Sequence, residues 1–186
     1  MTPARPPVTS RGMPLPVVGK AHEAARSSDF TWFVYGSSLD REAFSAWADE
    51  HGYTVPSFGA ARPATLPGFR LAFDVVSRHW GGAVASLVES PGDVVEGLAV
   101  PMPGAARGLV DHREGAVSGL YQPIEVTIVH ADGAEERALA YRAAPSRRLA
   151  GEAPPSPAYL GALVRGARAA GLSAGWVQRL EGLGRG

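Results

Sequence analysis

The sequence predicts an α+β protein built on a small, strongly curved antiparallel or mixed β-barrel with flanking helices. Three observations predict it. A helical pattern follows the first strand, a series of short β-type segments comes next, and helical patterns return at the end of the chain. Strands and helices do not alternate regularly, which argues against a doubly wound parallel sheet.

The first strand is predicted over residues 30–35, where aromatic and β-branched side chains follow one another. It stops at Gly36-Ser37-Ser38, a sequence typical of a tight turn. A helix is predicted from about Arg41, and either Ser38 or Asp40 is suited to cap it. The chain therefore passes from a buried strand through a tight turn into a helix.

The middle of the chain is rich in β-type segments and turn residues. Residues 61–73 predict two extended pieces joined by a turn at Pro67-Gly68. Residues 82–88 and 94–100 predict two strands, and Ser90-Pro91-Gly92-Asp93 between them is typical of a turn. We therefore expect these two strands to form a hairpin.

The last third of the chain predicts a short helix, a hairpin and two helices. The short helix is expected over residues 105–112, although two glycines weaken the pattern. Residues 121–129 and 135–142 have strong β character and are expected to pair as a hairpin. Residues 158–170 and 174–180 show helical periodicity, and Gly171 separates them.

One domain is expected over residues 29–181, since 186 residues suffice for a single core. The Pro-rich residues 1–28 are predicted to be disordered or a leader segment, and residues 182–186 a flexible tail. Lysines and arginines number 18, as do aspartates and glutamates, so the net charge is zero. We therefore expect neither a nucleic-acid nor a membrane partner. The absence of cysteine fits a cytoplasmic protein and excludes thiolate chemistry.

Several common kinds of site have no support in the sequence. The five histidines show no HxH or HExxH spacing, so no metal site is expected. A Gly-rich phosphate loop and a GxSxG elbow are both missing, which argues against nucleotide chemistry and serine hydrolysis.

Two short segments and a set of tyrosines are candidates for a site. Residues 35–39 present backbone N–H groups and small hydroxyls at the end of a strand, where they could hold a carboxylate. Taken alone, this segment is better explained as a strand-to-helix turn with a capping serine. Glu114, in Asp111-His112-Arg113-Glu114-Gly115, is a candidate acid/base or a plain surface acid, and His112 is expected to be solvated without a role. Four of the five tyrosines stand beside turns, although core packing is the default for each.

The order of these segments is more specific than any one of them. The chain resembles the γ-glutamylcyclotransferase family, which includes the plant AIG2-like proteins. The resemblance lies in six ordered blocks: residues 33–39 (FVYGSSL), 66–73 (LPGFRLAF), 80–85 (WGGAVA), 90–97 (SPGDVVEG), 111–115 with 119–121 (DHREG and GLY), and 153–159 (APPSPAY). Because the fourth and sixth blocks are both present, the chain looks most like the branch that cleaves γ-glutamyl amino acids.

The resemblance implies a function and a site. It implies an enzyme of glutathione metabolism, of lyase or acyltransferase type, that converts γ-glutamyl amides to 5-oxoproline and a free amine without metal or cofactor. Glu114 would be the acid/base. The substrate would be held by Tyr35, Gly36, Ser37, Ser38, Leu39, Tyr121, Tyr141 and Tyr159. A homodimer is also implied, although no heptad pattern in the sequence supports it.

One position departs from the family pattern: Ser38 stands where the family usually has Asn. A hydroxyl is shorter than an amide and has a different donor set, so this change bears on the substrate or the rate. Two alternatives therefore stay open. One is a cyclotransferase that removes a γ-glutamyl group from a specialised biosynthetic intermediate. The other is a catalytically idle binding module of the same fold.

Overall fold

A computed structural model describes residues 28–184 of the chain. Its five strands form a closed barrel in the order β1-β3-β2-β4-β5. Neighbouring strands are antiparallel except β1 and β5, which close the barrel in parallel, so the predicted mixed barrel is confirmed. The strands are β1 (Phe30–Val34), β2 (Arg62–Ser77), β3 (Gly82–Met102), β4 (Tyr121–His130) and β5 (Glu135–Ala143).

Four α-helices flank the barrel: α1 (Arg41–Glu50), α2 (Arg107–Arg113), α3 (Pro157–Ala169) and α4 (Ala174–Gly182). Of the two candidate caps for α1, Asp40 is the one used, since its carboxylate accepts a hydrogen bond from the Ala43 N–H. Three short 3₁₀ turns, Ser37–Leu39, Gly104–Ala106 and Pro145–Arg147, complete the regular structure of the described residues. In the same part of the chain, each helix falls short of the length and apolarity that crossing a bilayer requires.

The predicted turn at Pro67-Gly68 and the predicted hairpin of residues 82–100 are both wrong. Residues 82–102 form one long strand, and both of its halves pair with β2 instead of with each other. Pro67 pairs with Val94 and Phe69 pairs with Glu89, so residues 90–93 bulge out while the ladder continues. Gly68 and Gly92 have φ of 78° and 90°, values that favour glycine, and they allow the bulge without breaking the strands.

The remaining strand and helix predictions agree with the structure. The hairpin of β4 and β5 is confirmed, with Tyr121 opposite Ala143 and Val129 opposite Glu135. The predicted helix at residues 105–112 is a 3₁₀ turn that continues into α2. The predicted leader lies outside the described residues except for Ser28. Gly182, the first residue of the predicted tail, is the last residue of α4.

The core joins the barrel to the helix that follows β1. Trp32 on β1 and Phe44 on α1 are both fully buried, with ring centroids 5.7 Å apart. Burial of a large apolar side chain of this kind contributes about 1.5–3 kcal/mol. Packing of α1 onto the barrel fixes both ends of the short segment between them, which is the segment that reaches the site.

Candidate active site

A pocket opens where β1 ends, beside the last turn of α2 and the first turn of α3. Its volume is about 120 Å³, several times the roughly 10–15 Å³ that holds one water molecule. Seven of the nine residues predicted for the site line it: Tyr35, Gly36, Ser37, Ser38, Glu114, Tyr121 and Tyr159. The end of one strand, the start of another and the ends of two helices therefore meet at one point.

Glu114 is placed by the end of α2. It is the residue that caps this helix, and its N–H donates to the Val110 carbonyl at 2.9 Å. Gly115 follows with φ of 75° and turns the chain away, while Glu114 stays at the pocket wall. Burial raises the pKa of the Glu114 carboxyl, and the charge of Arg113 and a hydrogen bond from Ser38 oppose that rise.

Ser38 connects the first turn of the chain to Glu114. Its hydroxyl donates to Glu114 Oε1 at 2.9 Å and accepts from Arg113 Nε at 3.2 Å. Ser38 is itself buried, with 6% of its surface exposed. One hydroxyl thus contacts both the carboxylate and the guanidinium.

Two pocket tyrosines bind the backbone of the same residue of β3, Ala85. The Tyr121 hydroxyl donates to the Ala85 carbonyl at 2.6 Å, and the Tyr159 hydroxyl accepts from the Ala85 N–H at 3.1 Å. Burial raises the pKa of both hydroxyls, so they are protonated at neutral pH. The Tyr159 proton is not used in its bond to Ala85 and remains available for donation.

A third tyrosine is held differently. The Tyr35 hydroxyl donates to the carbonyl oxygen of Tyr141, which anchors the end of β1 to β5. Burial again raises the pKa of Tyr35. The ring lines the pocket while the hydroxyl proton is engaged by the backbone.

Leu39 and Tyr141 were predicted to hold substrate, but neither lines the pocket. Leu39 is 1% exposed and packs beneath the 3₁₀ turn, where its N–H donates to the Gly36 carbonyl. The Tyr141 hydroxyl donates to Asp111 Oδ1 at 2.6 Å. Its side chain is therefore committed to α2, and only its carbonyl supports the site, through Tyr35.

His112 was expected to be solvated, and the structure corrects this. It is partly buried, with its Nδ1 3.0 Å from the Tyr53 hydroxyl and its ring 5.2 Å from that of Trp47. It does not line the pocket. Within residues 28–184, no group of three or more His, Cys, Asp or Glu side chains is arranged to hold a metal ion.

Several lining residues were not predicted: Ser77, Trp80, Val84, Ala85, Arg113, Gly115 and Leu120. Trp80 stands in one of the blocks that carry the family resemblance, which was a signal for it. Arg113 also lies in such a block, but at an unspecified position of the D-x-x-E-G pattern, and an arginine at the end of a short helix is usually a solvated surface residue.

Comparison with known proteins gives a consistent result. The AIG2-like family model matches residues 94–180. The gamma-glutamylcyclotransferase of Bos taurus is 32% identical over 168 residues, which cover 87% of this chain and 84% of that protein. The gamma-glutamylcyclotransferase of Homo sapiens is 30% identical over 158 residues, covering 83% and 78%.

The fold gives the same result as the sequence. A solved structure of a gamma-glutamyl cyclotransferase superposes with a TM-score of 0.67 at 28% identity, covering 83% of this chain and 87% of that one. Sequence and fold agree over most of both chains. The chain belongs to the γ-glutamylcyclotransferase family.

Proposed function

We propose that this protein is a γ-glutamylcyclotransferase that acts on γ-glutamyl amino acids and releases 5-oxoproline and a free amino acid. The observation that carries the proposal is Glu114, a carboxyl group in the pocket whose pKa is raised by burial and which is held by Ser38 of the strand-end turn. Membership of the family gives the reaction class. The site supplies the group that the chemistry requires.

The reaction is an intramolecular acyl transfer. The α-amine of the γ-glutamyl group attacks its own γ-carbonyl carbon, and a five-membered lactam closes as the new C–N bond forms. Only the neutral amine is nucleophilic, so a base must take its proton. The departing nitrogen leaves only when protonated, so an acid must return one. One carboxyl group performs both transfers in turn, and no covalent enzyme intermediate is needed.

The environment of Glu114 suits this double role. A general acid/base works best when its pKa lies near the working pH, and burial raises the pKa of the Glu114 carboxyl towards that range. Ser38 engages Oε1, which leaves Oε2 for the substrate. The carboxylate is thereby oriented before substrate binds.

The tyrosines and the turn would serve binding and charge stabilisation. Tyr159 has an unused hydroxyl proton that could be donated to the oxyanion formed when the γ-carbonyl is attacked. The 3₁₀ turn at residues 37–39 borders the pocket through Ser37 and Ser38 and would help to hold the substrate. We also propose the cytoplasm and glutathione metabolism as the setting, and a homodimer as the assembly.

The test is 5-oxoproline release from a panel of γ-glutamyl dipeptides by wild type and Glu114→Gln. We expect the variant to lose about 10²- to 10⁴-fold in turnover, the usual effect of removing a general acid/base. Glu50→Gln, which alters an exposed carboxyl of α1, is the control and should keep wild-type activity.

Two outcomes would contradict the proposal. Near-normal turnover by Glu114→Gln would remove Glu114 from the chemistry. No release from any dipeptide by the wild type would favour either a specialised γ-glutamyl substrate or a binding module.

A further inference from the structure

Arg113 is the feature of the pocket that the proposed mechanism has not used. Eight arginines of residues 28–184 form ion pairs within 4.0 Å of a carboxylate, and Arg113 is not among them. The other unpaired arginines of that range are all exposed: Arg41, Arg78, Arg147 and Arg179. Arg113 is partly buried and lines the pocket.

The position of this guanidinium is fixed from two sides. It lies over the rings of Phe44 and Trp47, at 5.7 and 5.2 Å from their centroids. Its Nε donates to Ser38. The two terminal nitrogens make no hydrogen bond within the described part of the chain, and they form the fork that binds carboxylates in bidentate fashion. The Glu114 carboxylate is linked to this cation only through the Ser38 hydroxyl, so the two terminal nitrogens stay free to bind an anion that a ligand supplies.

The Ser38 hydroxyl contacts both the proposed base and this cation. Ser38 Oγ is 2.9 Å from Glu114 Oε1 and 3.2 Å from Arg113 Nε, so the base and the cation flank one hydroxyl. The γ-glutamyl group carries its amine and its α-carboxylate on one carbon atom. If the amine lies at Glu114, as the proposed function requires, the carboxylate falls on the side of Arg113.

We propose that Arg113 binds the α-carboxylate of the γ-glutamyl group and thereby selects γ-glutamyl substrates over amides of the same shape that lack this carboxylate. The inference rests on the proposed function, which places the amine at Glu114. Arg113 makes no contact with the bonds that form or break. It is a specificity-determining residue, and its loss should act on binding.

The kinetic test compares two substrates that differ only in this group. γ-Glutamyl-alanine carries the carboxylate, and 4-aminobutyryl-alanine lacks it and would cyclise to 2-pyrrolidinone. Arg113→Met keeps an apolar stem against the aromatic rings and removes the charge. We expect it to lower kcat/KM for γ-glutamyl-alanine about 10- to 100-fold, the usual effect of losing a hydrogen bond to a charged group, mainly through KM.

The second substrate separates recognition from other roles. With 4-aminobutyryl-alanine, Arg113→Met should stay within about twofold of wild type, since there is no carboxylate to lose. Equal losses on both substrates would overturn the proposal, because Arg113 would then act only on folding or on the Glu114 charge. Arg41→Met is the matched control: Arg41 also lies over an aromatic ring, that of Phe58 at 5.0 Å, and does not line the pocket.

A binding experiment keeps this test separate from that of the proposed function. 5-Oxoproline retains the carboxylate and 2-pyrrolidinone does not, so calorimetry with each ligand measures recognition without turnover. We expect wild type to bind 5-oxoproline more tightly than 2-pyrrolidinone and Arg113→Met to lose that preference. This result does not depend on whether any dipeptide is cleaved. Wild type that binds 5-oxoproline no better than 2-pyrrolidinone would overturn the inference, as would a variant that keeps the preference.

Discussion

The Glu114 carboxyl has an effect on stability that is opposite to its value for catalysis. Burial raises its pKa in the folded protein, so the protonated form suits the fold better than the ionised form. The stability that the protonated side chain contributes is fully present below its pKa in the unfolded chain, about 4.3. This contribution is lost as the pH rises through its pKa in the folded protein. At pH 7 the ionised side chain therefore destabilises the protein.

We accordingly expect Glu114→Gln to raise the melting temperature at pH 7, since a neutral amide replaces a desolvated carboxylate. The gain should shrink as the pH falls and vanish below about pH 4.3, where wild type is protonated as well. Thermal unfolding of both proteins between pH 4 and 8 measures this, with Glu50→Gln as the reference for an exposed carboxyl. A variant less stable than wild type at pH 7 would contradict the assigned direction of the pKa shift.

Individual site residues differed in how far the sequence predicted them. Glu114 and the turn at Gly36-Ser37-Ser38 lie in short ordered motifs, so the chain itself carried the signal. Arg113 owes its place to Ser38, 75 positions away, and to two aromatic rings of α1. The prediction that Tyr141 lines the pocket was wrong. Its hydroxyl instead donates to Asp111, and this contact between a strand and a helix cannot be predicted from a local sequence pattern.

At the scale of elements, α3 packs closely against the end of the 3₁₀ turn at residues 37–39 because it has a glycine, Gly166, at the contact. A Cβ at Gly166 would lie 2.5 Å from the Asp40 backbone nitrogen and 2.6 Å from the Leu39 backbone carbon. Both contacts are with backbone, so relief requires the turn or the helix to shift. We expect Gly166→Ala to cost about 1–3 kcal/mol in stability, typical of overpacking, and to reduce 5-oxoproline release by displacing the turn.

Gly161 on the same helix provides the control. A Cβ there meets only the end of the Arg165 side chain, at 3.4 Å. Gly161→Ala should therefore keep activity and gain up to about 1 kcal/mol from helix propensity. Denaturant unfolding and activity assays of the two variants measure the difference. Equal behaviour of the two alanine variants would show that close packing of α3 on the turn is not what positions the site.

The boundaries of the elements were predicted well where local sequence determines them. They were predicted wrongly where they depend on pairing with a strand distant in sequence. The caps and glycines around the helices indicated their ends to within one or two residues. The Ser90–Asp93 segment has the composition of a hairpin turn, yet both sides of it pair with β2, and the extra residues bulge instead. A turn sequence indicates that the chain can bend. Whether the chain then reverses its direction depends on which strand it pairs with.

At the scale of the whole molecule, barrel closure is what assembles the site. The pocket receives Tyr35 from the end of β1, Glu114 from the end of α2, Tyr121 from the start of β4 and Tyr159 from α3. The element order predicted the fold class, which the structure confirms. The parallel pairing of β1 with β5 joins strands far apart in sequence, and no local pattern predicts it.

Glu136 joins β5 to β1, the two strands that close the barrel, and the protein should lose stability in acid when this carboxylate is protonated. On β5, it accepts hydrogen bonds from Thr31 of β1 and, at 2.7 Å, is paired with His130 of β4. The hydrogen bond from Thr31 is the largest cause that lowers the pKa of Glu136. The stability that this carboxylate contributes is therefore present above the unfolded value of about 4.3 and is lost as the pH falls through the folded pKa.

Glu136→Gln should accordingly lower the melting temperature at pH 7, by the equivalent of about 1 kcal/mol or less because the side chain is partly exposed. The deficit should disappear in acid, where wild type loses the same charge, which is the reverse of the trend expected for Glu114→Gln. Glu135→Gln, at an exposed neighbouring position of β5, is the control in thermal unfolding from pH 3 to 8. If Glu136→Gln matches Glu135→Gln at pH 7, the contacts of Glu136 do not stabilise the closed barrel, and the acid sensitivity has another source.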